Sequence, residues 1–352
     1  MRPAPHAWLS VLVLAGCGAG SVRPAPAPPT GDVEATFDEQ ARARGRQDEP
    51  PAASPEVLRA EELLAAGRAS EARRALETVV ASHPGDARAQ LDLGLACEML
   101  EDDACAERAY RAAIAARADF PEAHNNLGLL LRNRERLDEA IAALREAVRL
   151  RPDYASAWLN LALALEERGE LQPASEAYER AASLAPRDPM SRVNLGLLRL
   201  RMGDRDTAAL ELRRALPLAR GNLAALQAIG NGLRRAGQAE AAADAMRQAV
   251  ELAGEQVTPA LLSELALAEA AADRGERAEA ALRRAIEIDE RYGTAHFLLG
   301  VVLQARGAHG DAVRHFERYL ALEPNGPQAS AARERLQAAR RSARTSEGRP
   351  RR

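Results

Sequence analysis

Small and large apolar residues alternate with polar ones along most of this chain, and the pattern returns about every 34 residues. The clearest unit, Ala155 to Asp188, carries Trp158, Leu161, Ala162, Leu165, Gly169, Ala174, Tyr178, Ala181 and Pro186. The same register holds over 53–86 (Ala60, Gly67, Ala72, Leu76, Pro84), 87–120 (Leu93, Gly94, Ala106, Tyr110, Ala113) and 121–154 (Leu127, Gly128, Ala140, Leu144, Ala147, Pro152). It continues over 189–222 (Leu195, Gly196, Gly203, Ala208, Leu212, Ala215), 223–258 (Gly230, Gly237, Ala242, Met246, Ala249) and 293–326 (Leu299, Gly300, Gly307, Ala312, Phe316, Pro324). A two-residue slip falls near Gly254 to Thr258. The unit after it, 259–292, is degenerate, with Leu265, Ala266, Ala278, Leu282 and Ala285.

Each unit predicts two antiparallel helices, A and B. Small residues at positions 8, 20 and 27 mark where the helices approach most closely, and large ones at 4, 7, 11 and 24 fill the gaps between them. Glycine at position 15 permits the tight turn from A to B, and proline at position 32 cannot continue helix B. One pair cannot bury its apolar faces alone, so neighbours must stack.

At every defining position the 155–188 unit resembles the tetratricopeptide repeat (TPR), and the other units follow its register. The resemblance covers residues 53–326. It implies an all-α fold, a right-handed superhelical solenoid of about eight TPR helix pairs. Residues 327–352 read as a capping helix with a more polar outer face, followed by a basic tail.

Composition sharpens this picture. Aromatic residues are 3% of the chain against 47% hydrophobic, so alanine and leucine fill the apolar positions, as helix packing favours. The net charge of −3 gives no overall argument for nucleic acid. Every basic residue other than histidine is arginine. The absence of lysine excludes a Walker A phosphate loop and a Schiff-base lysine.

Residues 1–16 read as an export signal: Arg2, then an uncharged apolar run from Ala7 to Ala15, too short for a permanent membrane span. The run ends in Leu14-Ala15-Gly16-Cys17, which resembles the bacterial lipobox. The resemblance implies cleavage before Cys17 and its lipidation, with anchoring of the mature chain in a membrane. Gly18 stands where inner-membrane retention signals carry aspartate, which implies an outer-membrane, periplasm-facing lipoprotein. Residues 17–52 form a tether with the proline-rich run Arg23 to Pro29.

The TPR resemblance places the A helices along a peptide-binding groove. Position 6 is Asp92, Asn126, Asn160 and Asn194 in four consecutive units. An amide both donates and accepts hydrogen bonds, and this run resembles the asparagine ladders with which TPR grooves hold an extended chain. Position 12 changes charge from Glu98 to Arg132 to Glu166, and Arg201 and Arg234 mark an arginine-rich stretch. These arginines either accept an acidic peptide or form salt bridges between repeats. Cys97 and Cys105, at positions 11 and 19 of one unit, either form a disulfide or remain two buried thiols.

No catalytic motif is present. The six histidines show no zinc-ligand spacing, and there is no Gly-x-Ser-x-Gly elbow. The chain is therefore expected to be no enzyme and to need no cofactor or metal. Lipobox plus TPR resembles the lipoproteins that serve pilus secretins, motility complexes or peptidoglycan enzymes. This implies an envelope scaffold or assembly factor with protein partners, a membrane anchor and no nucleic acid, and it leaves self-association open. The alternative is a ligand- or substrate-binding subunit of an envelope transport or enzyme complex, with a deep apolar pocket.

Overall fold

The structure is a computed structural model and describes residues 54–347. The expected signal peptide, Cys17, the tether and the last basic residues lie outside the described residues. The described chain is all helical, with seventeen α-helices, two short 3-10 turns and no strand among the described residues. It divides into two compact units, residues 54–184 and residues 185–347.

The first unit holds four helix pairs: α1 (Pro55–Ala65) with α2 (Ala69–Ser82), α3 (Ala87–Met99) with α4 (Asp103–Ala116), α5 (Pro121–Asn133) with α6 (Leu137–Leu150), and α7 (Ala155–Arg168) with α8 (Leu171–Leu184). The second holds α9 (Pro189–Arg201) with α10 (Arg205–Ala215), α11 (Leu223–Arg235) with α12 (Ala239–Ala253), α13 (Pro259–Ala271) with α14 (Gly275–Ile288), and α15 (Gly293–Ala305) with α16 (His309–Leu322). A last helix, α17 (Ala329–Glu347), buries Ala332, Leu336 and Ala339 in the same core as α15 and α16. That is the burial a capping helix requires.

Local chemistry fixes the helix starts. Asp86, Asp188, Asn222 and Thr258 accept hydrogen bonds from the first free backbone N–H groups of α3, α9, α11 and α13. Pro55, Pro121, Pro189 and Pro259 occupy the first turn, where no N–H partner is lost.

The turn between helices is left-handed in every repeat. Gly67, Gly169, Gly203, Gly237 and Gly307 have positive φ, and so do Glu101, Glu135 and Asp273 at the same position in three others. At position 8 the helices meet closely. A Cβ on Gly94 would stand 2.3 Å from the Tyr110 ring, and one on Gly128 2.5 Å from Leu144.

Two irregularities depart from the simple period. Pro217 falls where helix B of the fifth repeat would otherwise continue, so α10 ends at Ala215 and the chain leaves through a 3-10 turn, Leu216–Leu218. The two-residue slip is taken up by a 3-10 turn, Gly254–Gln256, before Thr258 caps α13.

Candidate partner-binding site

At 100° per residue, positions 2, 6, 9 and 13 of an A helix lie within about 60° of one another. In the first unit this stripe carries Arg88, Asp92, Asn126, Asn160 and Glu167. Positions 5 and 12 lie about 100° round from position 6, on the flank that meets the neighbouring helices.

Asn125, at position 5, is 2% exposed and was not legible as a ladder residue. Its amide joins two rungs: Asn160 Nδ2 donates to Asn125 Oδ1 at 2.9 Å, and Asn125 Nδ2 donates to Asn126 Oδ1 at 3.1 Å. This chain orients the half-buried Asn126 and Asn160 of adjacent repeats. It leaves the Asn126 amide nitrogen as a donor and the Asn160 amide oxygen as an acceptor, the two functions an extended backbone requires.

Asp92 is 6% exposed. Burial first, then the charge of Glu61 on α1, push its pKa up to about 7. Glu61 is in turn held by Arg88, whose Nε donates to it at 2.6 Å. Asp92 Oδ2 is buried without a hydrogen-bond partner.

Position 12 serves the interior more than the stripe. The Tyr110 hydroxyl donates to Glu98 at 2.6 Å and the Tyr178 hydroxyl to Glu166 at 2.8 Å. Burial raises the Tyr178 pKa, with the Glu166 charge adding to it. The signal for these pairs was present in the sequence: glutamate stands at position 12 where tyrosine stands at position 24. Arg132, at position 12 of the repeat between them, lies 3.7 Å from Glu167 and keeps its Nη1 buried without a hydrogen-bond partner.

The remaining sequence candidates belong to the second unit. Asn194 and Arg201 lie on α9 and Arg234 on α11. Burial lowers the Arg234 pKa, opposed by the charge of Glu264 on α13. The candidate ladder is thus divided, with Asp92, Asn126 and Asn160 in one compact unit and Asn194 in the other. In the second unit His296 and His315 face each other, Nδ1 to Nδ1 at 3.0 Å. His296 Nε2 donates to the Glu290 carbonyl, so the neutral His296 ring accepts through Nδ1 from His315. This bond pins α15 to α16.

Cys97 of α3 and Cys105 of α4 form a disulfide, with their Cα atoms 5.7 Å apart. One surface depression in this unit is lined by Asp103, Glu107, Arg134 and Arg136 together with Ala104 and Leu130. No helix among the described residues is long and apolar enough to cross a membrane.

Family comparison agrees with this geometry. Models described as tetratricopeptide repeat match residues 57–119, 263–330 and 155–188, and one described as TPR repeat matches residues 128–169. This chain is built of tetratricopeptide repeats. The TPR chain is similar to solved structures of the same fold. PilF of Pseudomonas aeruginosa is 21% identical, with a TM-score of 0.50 over 56% of this chain and 90% of that one. MamA is 26% identical over 45% of this chain and 93% of that one, with a TM-score of 0.43. YrrB, described as a TPR protein with an unusual peptide-binding site, is 16% identical over 65% of this chain and 99% of that one, with a TM-score of 0.43. A search of the curated proteins finds no match.

Proposed function

We propose that this TPR protein is an exported, lipid-anchored scaffold of the bacterial cell envelope that holds extended segments of partner proteins against its A helices. The observation that carries this reading is the Asn160–Asn125–Asn126 chain. It fixes one amide donor and one amide acceptor on neighbouring A helices, where they match a peptide backbone without demanding a particular sequence. Its role is to bind and place partners, not to catalyse a reaction.

Two further features support export and anchoring. A disulfide between Cys97 and Cys105 persists in an oxidising compartment such as the periplasm. The Leu14-Ala15-Gly16-Cys17 sequence fits lipidation at Cys17, and Gly18 fits sorting to the outer membrane. The processes that match this combination are assembly of a pilus or its secretin, motility machinery, and recruitment of peptidoglycan enzymes.

The test is crosslinking in intact envelopes followed by recovery of the tethered protein. A variant with Asn126, Asn160 and Asn194 changed to alanine is expected to lose specific partners that the unaltered protein retains. The identity of those partners names the process. Unchanged recovery of every partner would remove the A-helix amides from the binding site.

A further inference from the structure

Two of the three cysteines form the Cys97–Cys105 bridge, and their surroundings differ. Cys97 is fully buried in the apolar core of the first unit. Cys105 is 7% exposed. It lines a surface depression of about 290 Å³ bounded by α2, α3 and α4, together with Arg73, Glu77, Leu93 and Arg108, and Cys97 takes no part in that lining. A reagent therefore reaches the bridge from the Cys105 side. The space matches the small end of ligand clefts, which span about 300–1,000 Å³.

The charges around Cys105 favour a negative sulfur there. Cys105 is the third residue of α4, in the first turn, where free backbone N–H groups gather. Its own N–H donates to Asp102 Oδ1 at 3.0 Å. The charge of Asp102 is met by Arg73, whose Nη1 donates to Oδ2 at 3.0 Å while its Nε donates to Glu77 at 2.8 Å. Arg108 adds a second guanidinium to the same wall. A partly exposed cysteine at a helix N-terminus beside cations has the surroundings of a reactive thiol, whereas a cysteine buried among apolar groups is inert to outside reagents.

We infer that Cys105 is the exchange sulfur of this bridge, the atom that attacks a small disulfide and is attacked by a small thiol, with Cys97 as the resolving sulfur behind it. The co-reactants are small thiols and disulfides of the glutathione class. The site opens beside the B helices and stands apart from the peptide-binding reading of the A-helix stripe. In the oxidising direction the Cys105 thiolate attacks one sulfur of the small disulfide. That S–S bond breaks, one small thiolate leaves and takes up the proton that Cys105 gave, and a mixed disulfide remains on Cys105. The Cys97 thiol then gives up its proton and its sulfur attacks Cys105 Sγ, so that the second small thiolate leaves and takes that proton. Two electrons pass from the two cysteines to the small disulfide, which becomes two thiols. Reduction runs the same path backwards: the small thiolate attacks Cys105 and Cys97 departs. With the Cα atoms 5.7 Å apart, the second attack takes place within the folded hairpin.

The experiment uses the full chain. The bridged protein is treated with reduced glutathione under native conditions, quenched with acid and alkylated, and fragment mass spectrometry locates the glutathione within residues 89–108. The trapped intermediate is expected to carry glutathione on Cys105 and a free thiol at Cys97. Glutathione on Cys97, or a bridge that glutathione opens only when the chain is unfolded, overturns the assignment.

Single substitutions give an independent reading. With glutathione disulfide, the Cys97→Ser chain is expected to gain glutathione at Cys105 at least about tenfold faster than the Cys105→Ser chain gains it at Cys97. The difference is expected to vanish in denaturant, and peptide mapping keeps Cys17 apart from both. Equal rates in the folded chains overturn the assignment. Circular dichroism checks that both variants fold, and where one does not, the intermediate trapped on the unaltered protein decides.

Discussion

Glu101, Glu135 and Asp273 adopt the left-handed backbone that glycine takes at the corresponding turn of the other five repeats. An L side chain in this region costs about 1–2 kcal/mol, while glycine costs about 0.5–1 kcal/mol in lost chain freedom. All three side chains are exposed. Changing any one of them to glycine is therefore expected to stabilise the protein by about 0.5–1 kcal/mol, read as a rise in the urea midpoint. A lower midpoint would mean that the side chain makes a contact worth more than its strain. The repeat register already marks this position as the turn. Which repeats carry strain there is equally visible, because the three departures from glycine are plain in the sequence. What could not be read at residue scale was the burial of Asn125 in place of Asn126. Both residues stand in one dipeptide, and the choice depends on which of them faces the next A helix.

At the scale of helix pairs, the contact between positions 8 and 24 sets how closely A and B pack. Gly94 leaves no room for a Cβ beside Tyr110, yet the equivalent pair in the fourth repeat is Ala162 and Tyr178, both fully buried. The fourth repeat thus accommodates a Cβ beside its tyrosine where the second has none. Gly94→Ala is expected to destabilise the protein by about 1–3 kcal/mol, as overpacking does. Ala162→Gly is expected to cost a smaller amount, about 0.5–1 kcal/mol, through helix entropy. Thermal unfolding of the two variants compares them directly, and equal losses would show that α3 and α4 shift apart freely. The Cys97–Cys105 disulfide ties the end of α3 to the start of α4 beside this contact, which restricts such a shift. The sequence placed both cysteines in one hairpin but left bridge and thiols equally compatible. The Cα separation of 5.7 Å is within disulfide range and is a property of the folded hairpin.

For the whole molecule, the proposed anchor and the folded repeats make separate demands. The helices carry no membrane-spanning segment among the described residues, so membrane attachment rests on Cys17 in the proposed scheme. Cys17→Ala is expected to leave the mature protein out of the membrane fraction and to remove incorporation of labelled fatty acid, with the helical content of the repeats unchanged. Continued membrane association with no label would place the anchor elsewhere. The candidate groups are spread over both compact units: Asp92, Asn126, Arg132 and Asn160 lie in the first, and Asn194, Arg201 and Arg234 in the second.

The chain's own pattern determined the repeat, the pairing of helices and the place of each turn. These follow from which positions must be small, apolar or left-handed, and such constraints act within one 34-residue unit. Tertiary structure decided how the polar groups are matched. Glu98 and Glu166 turn inward to tyrosine hydroxyls, Asn125 links Asn126 to Asn160, and Arg88 is brought against Glu61 of the preceding repeat. A polar side chain has several partners within reach, and the rotation and spacing of neighbouring helices select among them. That geometry arises from packing of whole helices, and of these matches only the glutamate–tyrosine pairs leave a mark in the repeat, glutamate at position 12 with tyrosine at position 24.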